Sequence, residues 1–94
     1  MKAVLLCYNS ESRSAAHLMG IVSPQLNSAD EALVLLKPLL HDPECALILL
    51  GPEFAEELAR RDNAYLQQIL AWERPLVFAL PDRGKISESI RAIT

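Results

Sequence analysis

Glycine is scarce in this chain: three among 94 residues, and none before Gly20. That excludes the G-x-G-x-x-G turn that follows the first strand of a dinucleotide fold, and a nucleotide P-loop on the same ground. Cationic clusters are missing too. Nine Lys and Arg stand against twelve Asp and Glu, for a formal charge of -3. No basic run is available to neutralise phosphates, which sets nucleic acid aside as a partner. The longest uncharged apolar run, Cys45–Gly51, is far shorter than the ~20 residues of a membrane span. The N-terminal stretch has one Lys but no h-region of signal length and no cleavage pattern, so a cytoplasmic location is expected. The two cysteines, Cys7 and Cys45, make no disulfide framework. Together with His17 and His41 they follow no metal-ligand spacing, and two free thiols are expected.

What remains is an ordinary globular composition, 51% apolar and 22% charged. A chain this short forms one domain, burying ~60–65% of its surface. Short apolar runs alternate with amphipathic stretches. Lys2–Cys7 reads as a buried strand. Ser10–Met19 reads as a helix, capped by Ser10 or Ser12 and stopped at Gly20. Ile21–Leu26 is a weak strand interrupted by Pro24, and so belongs at a sheet edge. Ser28 with Glu31 forms a capping box for a second helix, which Pro38 should kink or end near Lys37. Cys45–Leu50 (CALILL) is the most apolar run and the expected central strand. Gly51-Pro52-Glu53 opens a long helix that Asp62-Asn63 is suited to break. Along it, Glu56–Arg60 and Glu57–Arg61 are i,i+4 pairs on a solvated face. Pro75–Leu80 is a fourth strand, Pro81–Gly84 a loop, and Ile86–Thr94 the start of a last helix.

Apolar strands separated by helices imply a parallel sheet covered on both faces. The expected fold is α/β: a small Rossmann-like three-layer domain with a four-stranded parallel sheet in the order 2-1-3-4. Helices cover both faces. The domain occupies residues 1–85, and residues 86–94 begin a C-terminal helix.

One stretch invites a chemical reading. "CYNSESRS" carries the Cys-x5-Arg-Ser spacing of the phosphate loop of cysteine phosphatases, after an apolar run. Such a loop wraps phosphate in backbone amides, needs a reactive thiolate, and generally uses Gly to reach its backbone angles. This stretch has no Gly and places Glu11 in the cradle. The acid for the leaving group would have to be Asp82. A response-regulator receiver needs an Asp at the end of the third strand, where this chain has Leu50-Gly51. The strand ends are therefore poor in catalytic groups.

In order and spacing the chain resembles the small central-stalk subunit of V/A-type rotary ATPases and ATP synthases, over nearly its whole length. The segments that carry the likeness are MKAVLL with the turn Asn9–Ser12, Leu18–Ile21, SADEALVLL, ALILLGPEFAEEL, PLVFALP and Ser89-Ile90-Arg91. None of them bears chemistry. The resemblance implies a non-catalytic rotor part with no cofactor and no catalytic or metal-binding residue. Its partner would be the long coiled-coil subunit of the central stalk and, through it, the catalytic A/B ring. It would lie peripheral to the membrane within that complex, without insertion, and help couple ATP hydrolysis or synthesis to proton or sodium transport. The family's turn after strand one is richer in Gly and Asp, and its last helix often runs longer. The apolar stripe Ile86, Ile90, Ile93, with Arg91 beside it, either packs on its own domain or faces the partner. The alternatives from other classes are a phosphatase-like enzyme using Cys7 and Arg13, and an α/β adaptor with another partner.

Overall fold

The computed structural model describes residues 1–80. It is α/β, with a three-stranded parallel sheet, β1 (Lys2–Leu6), β2 (Cys45–Leu50) and β3 (Leu76–Ala79), in the order β1-β2-β3. Three helices connect them: α1 (Ser10–Leu18), α2 (Ala29–Leu40) and α3 (Pro52–Leu70). CALILL is central, as its apolarity predicts: it is hydrogen-bonded on both edges, and its Ile48 and Leu50 side chains are fully buried. The expected C-terminal helix, its boundary at residue 85, and Asp82 lie outside the described residues.

The four-stranded sheet in the order 2-1-3-4 does not form among the described residues, because the Ile21–Leu26 segment is reduced to one bridge. Val22 lies parallel to Val4, its N–H donating to the Ala3 carbonyl and its carbonyl accepting from the Leu5 N–H. The next rung would need an N–H from residue 24 to the Leu5 carbonyl, and Pro24 has none. The Ser23 hydroxyl donates to that carbonyl instead, at 3.0 Å, and is buried in doing so. Pro24 thus ends the strand after one rung.

Alternation along the strands sorts the core into two layers. Val4, Leu6, Ile48, Leu50 and Val77 face α2 and α3, and with Leu36, Phe54, Leu58 and Ile69 they form the main core. Leu5, Cys7 and Leu49 point to the opposite face, where Ala16 of α1 meets them. Ala16 is the one buried residue of α1, so that helix is lightly held.

Helix ends follow side-chain caps, with two corrections. Asn9, rather than Ser10 or Ser12, caps α1: its Oδ1 accepts from the amides of Glu11 (2.7 Å) and Ser12 (3.4 Å). Pro38 does not stop α2, which runs on to Leu40. Pro38 falls in the last turn on an exposed stretch, where the carbonyl it leaves unpaired is within reach of water. Ser28 Oγ accepts from the Glu31 amide, as the capping box predicts. At Asp62 the backbone is extended (φ -159°, ψ 81°), and its Oδ1 accepts from the Tyr65 amide, so it caps the second half of α3.

Substitutions in CALILL should separate the two faces. Ile48→Ala empties a fully buried position and should cost roughly 2–5 kcal/mol, out of a total of about 5–15 kcal/mol for a domain. Leu49→Ala, on the less covered face, should cost clearly less. Urea unfolding measures both, and equal losses would contradict the layering.

Candidate functional site

In an open α/β sheet, ligands bind beyond the carboxyl ends of the strands. Here that end carries Cys7, Tyr8, Asn9 and the first turn of α1, facing Gly51 and the start of α3. Gly51 is pressed against β1. Its N–H donates to the Leu6 carbonyl at 2.8 Å, and a Cβ at this position would lie 2.7 Å from Cys7 Cβ. The ends of β1 and β2 thus meet backbone to backbone at Gly51.

The Cys7–Arg13 loop binds to itself. Two amides that a phosphate cradle would need, those of Glu11 and Ser12, both point at Asn9 Oδ1. The Cys7 thiol is buried, 3.7 Å from the Asn9 carbonyl and 3.9 Å from Ser23 Oγ. The thiol has one proton and donates it to the Asn9 carbonyl, while Ser23 gives its own to Leu5, so the 3.9 Å approach of the two side chains is a packing contact. On the far side of Ser23, His17 Nε2 donates to its backbone carbonyl at 3.1 Å, which places a proton on Nε2. These bonds tie the Val22–Ser23 edge to β1 and α1. Arg13 Nε is buried and finds no hydrogen-bond partner among the described residues. Cys7 and Arg13, paired by the sequence spacing, are therefore set to different tasks.

Tyr8 turns to the other face and packs on Phe54, ring centroids 6.5 Å apart. Its hydroxyl is buried and unpaired among the described residues. Desolvation raises the phenol above its ordinary value, and the charge of Glu57 adds to this. The amino end of α3 has no side-chain cap, and Glu53 supplies negative charge to its first turn. Nearby, Arg61 pairs with Asp30 of α2 at 2.7 Å. Neither expected pair, Glu57–Arg61 or Glu56–Arg60, is among the ion pairs of the described residues; Arg61 reaches Asp30 on the neighbouring helix instead of Glu57.

At the opposite end of the sheet lies a cleft of about 430 Å³, lined by Leu40, His41, Asp42, Cys45, Glu73 and Arg74 among others. His41 meets Trp72 edge-on, centroids 6.0 Å apart. Lys2 Nζ lies 2.8 Å from Asp42 Oδ2. This bond raises the Lys2 ammonium and, together with the Glu44 amide, lowers the Asp42 carboxyl. Burial raises the Cys45 thiol. Cys45 pairs with Lys2 at this end of the sheet while Cys7 follows Leu6 at the other, about 16 Å away at ~3.3 Å per residue. Both thiols are free. Among the described residues no group of His, Cys, Asp and Glu is arranged to hold a metal ion, and no helix is long and apolar enough to cross a membrane.

An exposed apolar strip lies on the other face, where the sequence pattern gives no sign of it. Leu76 and Phe78 of the edge strand β3 are 49% and 53% exposed on the α1 side of the sheet, next to half-buried Leu47 and Leu49. The cluster under α1 is Leu5, Cys7 and Ala16, with Leu49 and Leu80 half-buried against it. The four expected partner-contact residues, Ile86, Ile90, Arg91 and Ile93, lie outside the described residues. No family model matches the chain, and no curated protein does.

Two measurements test these assignments. Gly51→Ala forces a Cβ into Cys7 and should destabilise by ~1–3 kcal/mol in denaturant unfolding; a neutral result would contradict the close contact. A carboxyl held low in the folded state stabilises above its unfolded pKa and loses that contribution as pH falls. Asp42 should accordingly titrate below the ordinary carboxylate range by NMR, and Lys2→Met should return it upward.

Proposed function

We propose that this chain is a non-catalytic central-stalk subunit of a V/A-type rotary ATPase or ATP synthase. It works by binding the coiled-coil stalk subunit, and through it meets the catalytic A/B ring, coupling ATP hydrolysis or synthesis to proton or sodium transport. It sits on the cytoplasmic side, peripheral to the membrane. The reading rests on the order of segments, which resembles that of the small stalk subunits of these motors. The observation that carries it is the internal use of the strand-end donors: the Asn9 side chain takes two amides of the Cys7–Arg13 loop, and the Asn9 carbonyl takes the thiol. A site whose donors are spent on the fold itself suits a part that acts through its surfaces.

The stripe Ile86, Ile90, Ile93 with Arg91 is the proposed stalk contact. A charge placed in an apolar contact is stranded from water and costs several kcal/mol. Ile90→Asp should therefore weaken stalk binding by about a hundredfold or more, at 1.4 kcal/mol per tenfold. The measurement is a titration with the purified coiled-coil subunit, with circular dichroism as the folding control. Normal binding by a folded variant removes the stripe from the contact, and failure of the unmutated chain to bind the coiled coil removes the rotor reading. In parallel, hydrolysis of an aryl phosphate should be no greater for the unmutated chain than for Cys7→Ser. Turnover lost only in that variant would restore the phosphatase reading.

A further inference from the structure

Among the described residues β3 has a hydrogen-bonded neighbour on one side only, so its outer side is a sheet edge. The Leu80 amide donates to the Leu50 carbonyl at 2.9 Å, which fixes the direction of the other main-chain groups along the strand. Successive residues alternate, so Leu76, Phe78 and Leu80 turn their main-chain groups towards β2, and Val77 and Ala79 turn theirs outwards. Edge strands are ordinarily blunted by a charge, a bulge or a proline within the strand. Residues 76–80, LVFAL, contain neither charge nor proline, and β3 pairs with β2 in unbroken register. Beside this edge, Leu76 and Phe78 are about half exposed.

We propose that this edge pairs with the same edge of a second copy, antiparallel about a two-fold axis at Phe78, so that two sheets join into one of six strands. A two-fold contact must complement itself, and the backbone of β3 does so in this register. About Phe78, Val77 of each copy meets Ala79 of the other, and each of these two pairs exchanges both of its bonds. An axis at Val77 would set Ala79 against Pro75, which has no N–H to give. An axis at Ala79 would place Val77 opposite position 81, past the end of the strand. The axis at Phe78 also brings the two Phe78 residues into the closer kind of cross-strand pair, with Cα atoms ~4.5 Å apart and side chains on one face. Leu76 of each copy then lies opposite Leu80 of the other, and Leu47 and Leu49 of β2 extend the apolar surface inwards. Because residues 76–80 are uncharged, the symmetry brings no like charges together. The paired stretch is ~16 Å long at ~3.3 Å per residue. That area lies at the low end of specific interfaces, below ~1,200 Å² in total, so the dimer is a weak one that forms at high protein concentration. It does not depend on the rotor reading, because its test contains this chain alone.

The test is sedimentation of the full chain over a concentration series that reaches the millimolar range. The mean mass should climb from monomer towards dimer and no further, because a two-fold contact closes on itself. Phe78→Lys sets two ammonium groups against each other across the axis and should weaken association by about tenfold or more. Val34→Lys, at an exposed apolar position on α2, should leave association unchanged. A second measurement uses the unmutated chain and stands if a variant fails to fold: hydrogen exchange at the Val77 and Ala79 amides should slow as concentration rises. A chain that stays monomeric throughout the series overturns the proposal. So does a dimer whose Val77 and Ala79 amides exchange as fast as in the monomer, or one that a folded Phe78→Lys variant forms equally well.

Discussion

β2 is hydrogen-bonded to a parallel neighbour on each edge, and its Ile48 and Leu50 side chains have no exposed surface. Every other element is placed by reference to it. β1 and β3 pair with it directly, and α2 and α3 bury Leu36, Phe54, Leu58 and Ile69 over its inner face. Its last residue leads into Gly51, where the lack of a side chain lets α3 start against Cys7. A parallel pair cannot close through a tight turn, so each crossover needs a helix. Removing apolar volume from β2 therefore acts on both strand pairings and on the main core together.

How far the sequence can be read depends on how local the deciding physics is. CALILL, Gly51-Pro52 and the Asp62-Asn63 break are decided by residues a few positions apart, and all three agree with the structure. The edge strand is a closer matter. Its proline is legible, but the outcome turns on which rung Pro24 would occupy, and that depends on pairing with β1. At the start of α1 the two serines compete with Asn9, an equally good cap, and only the backbone decides between them. A proline in the last turn costs little where water reaches the freed carbonyl, so Pro38 stops nothing. Spacing along α3 pairs Arg61 with Glu57, although the carboxylate it meets belongs to Asp30, thirty-one positions away in the chain.

The Cys-x5-Arg spacing shows why a motif is confirmed only by its backbone. The phosphate loop works because consecutive amides converge on an empty centre. In this chain the side chain of Asn9 fills that role, and the helix gains a cap in place of an anion site. Cys7 lies among Leu5, Ala16 and Ser23, where it serves as a small buried side chain with a weak donor. The same eight residues thus satisfy the spacing and lack the cradle, because spacing does not specify where amides point.

The asymmetry between the two faces connects the fold with the proposed role. On the α2/α3 side, phenylalanine, leucine and isoleucine side chains interdigitate with almost no exposed surface, which makes that layer the source of stability. On the α1 side the helix is held by one buried alanine, and Leu76 and Phe78 remain about half exposed on an edge strand. An edge strand with exposed apolar side chains is a liability unless something covers it. Covering that half-face adds apolar burial without disturbing the main core. Such a division, with stability on one face and exposed apolar side chains at the edge of the other, suits the proposed role of a part that works through its surfaces.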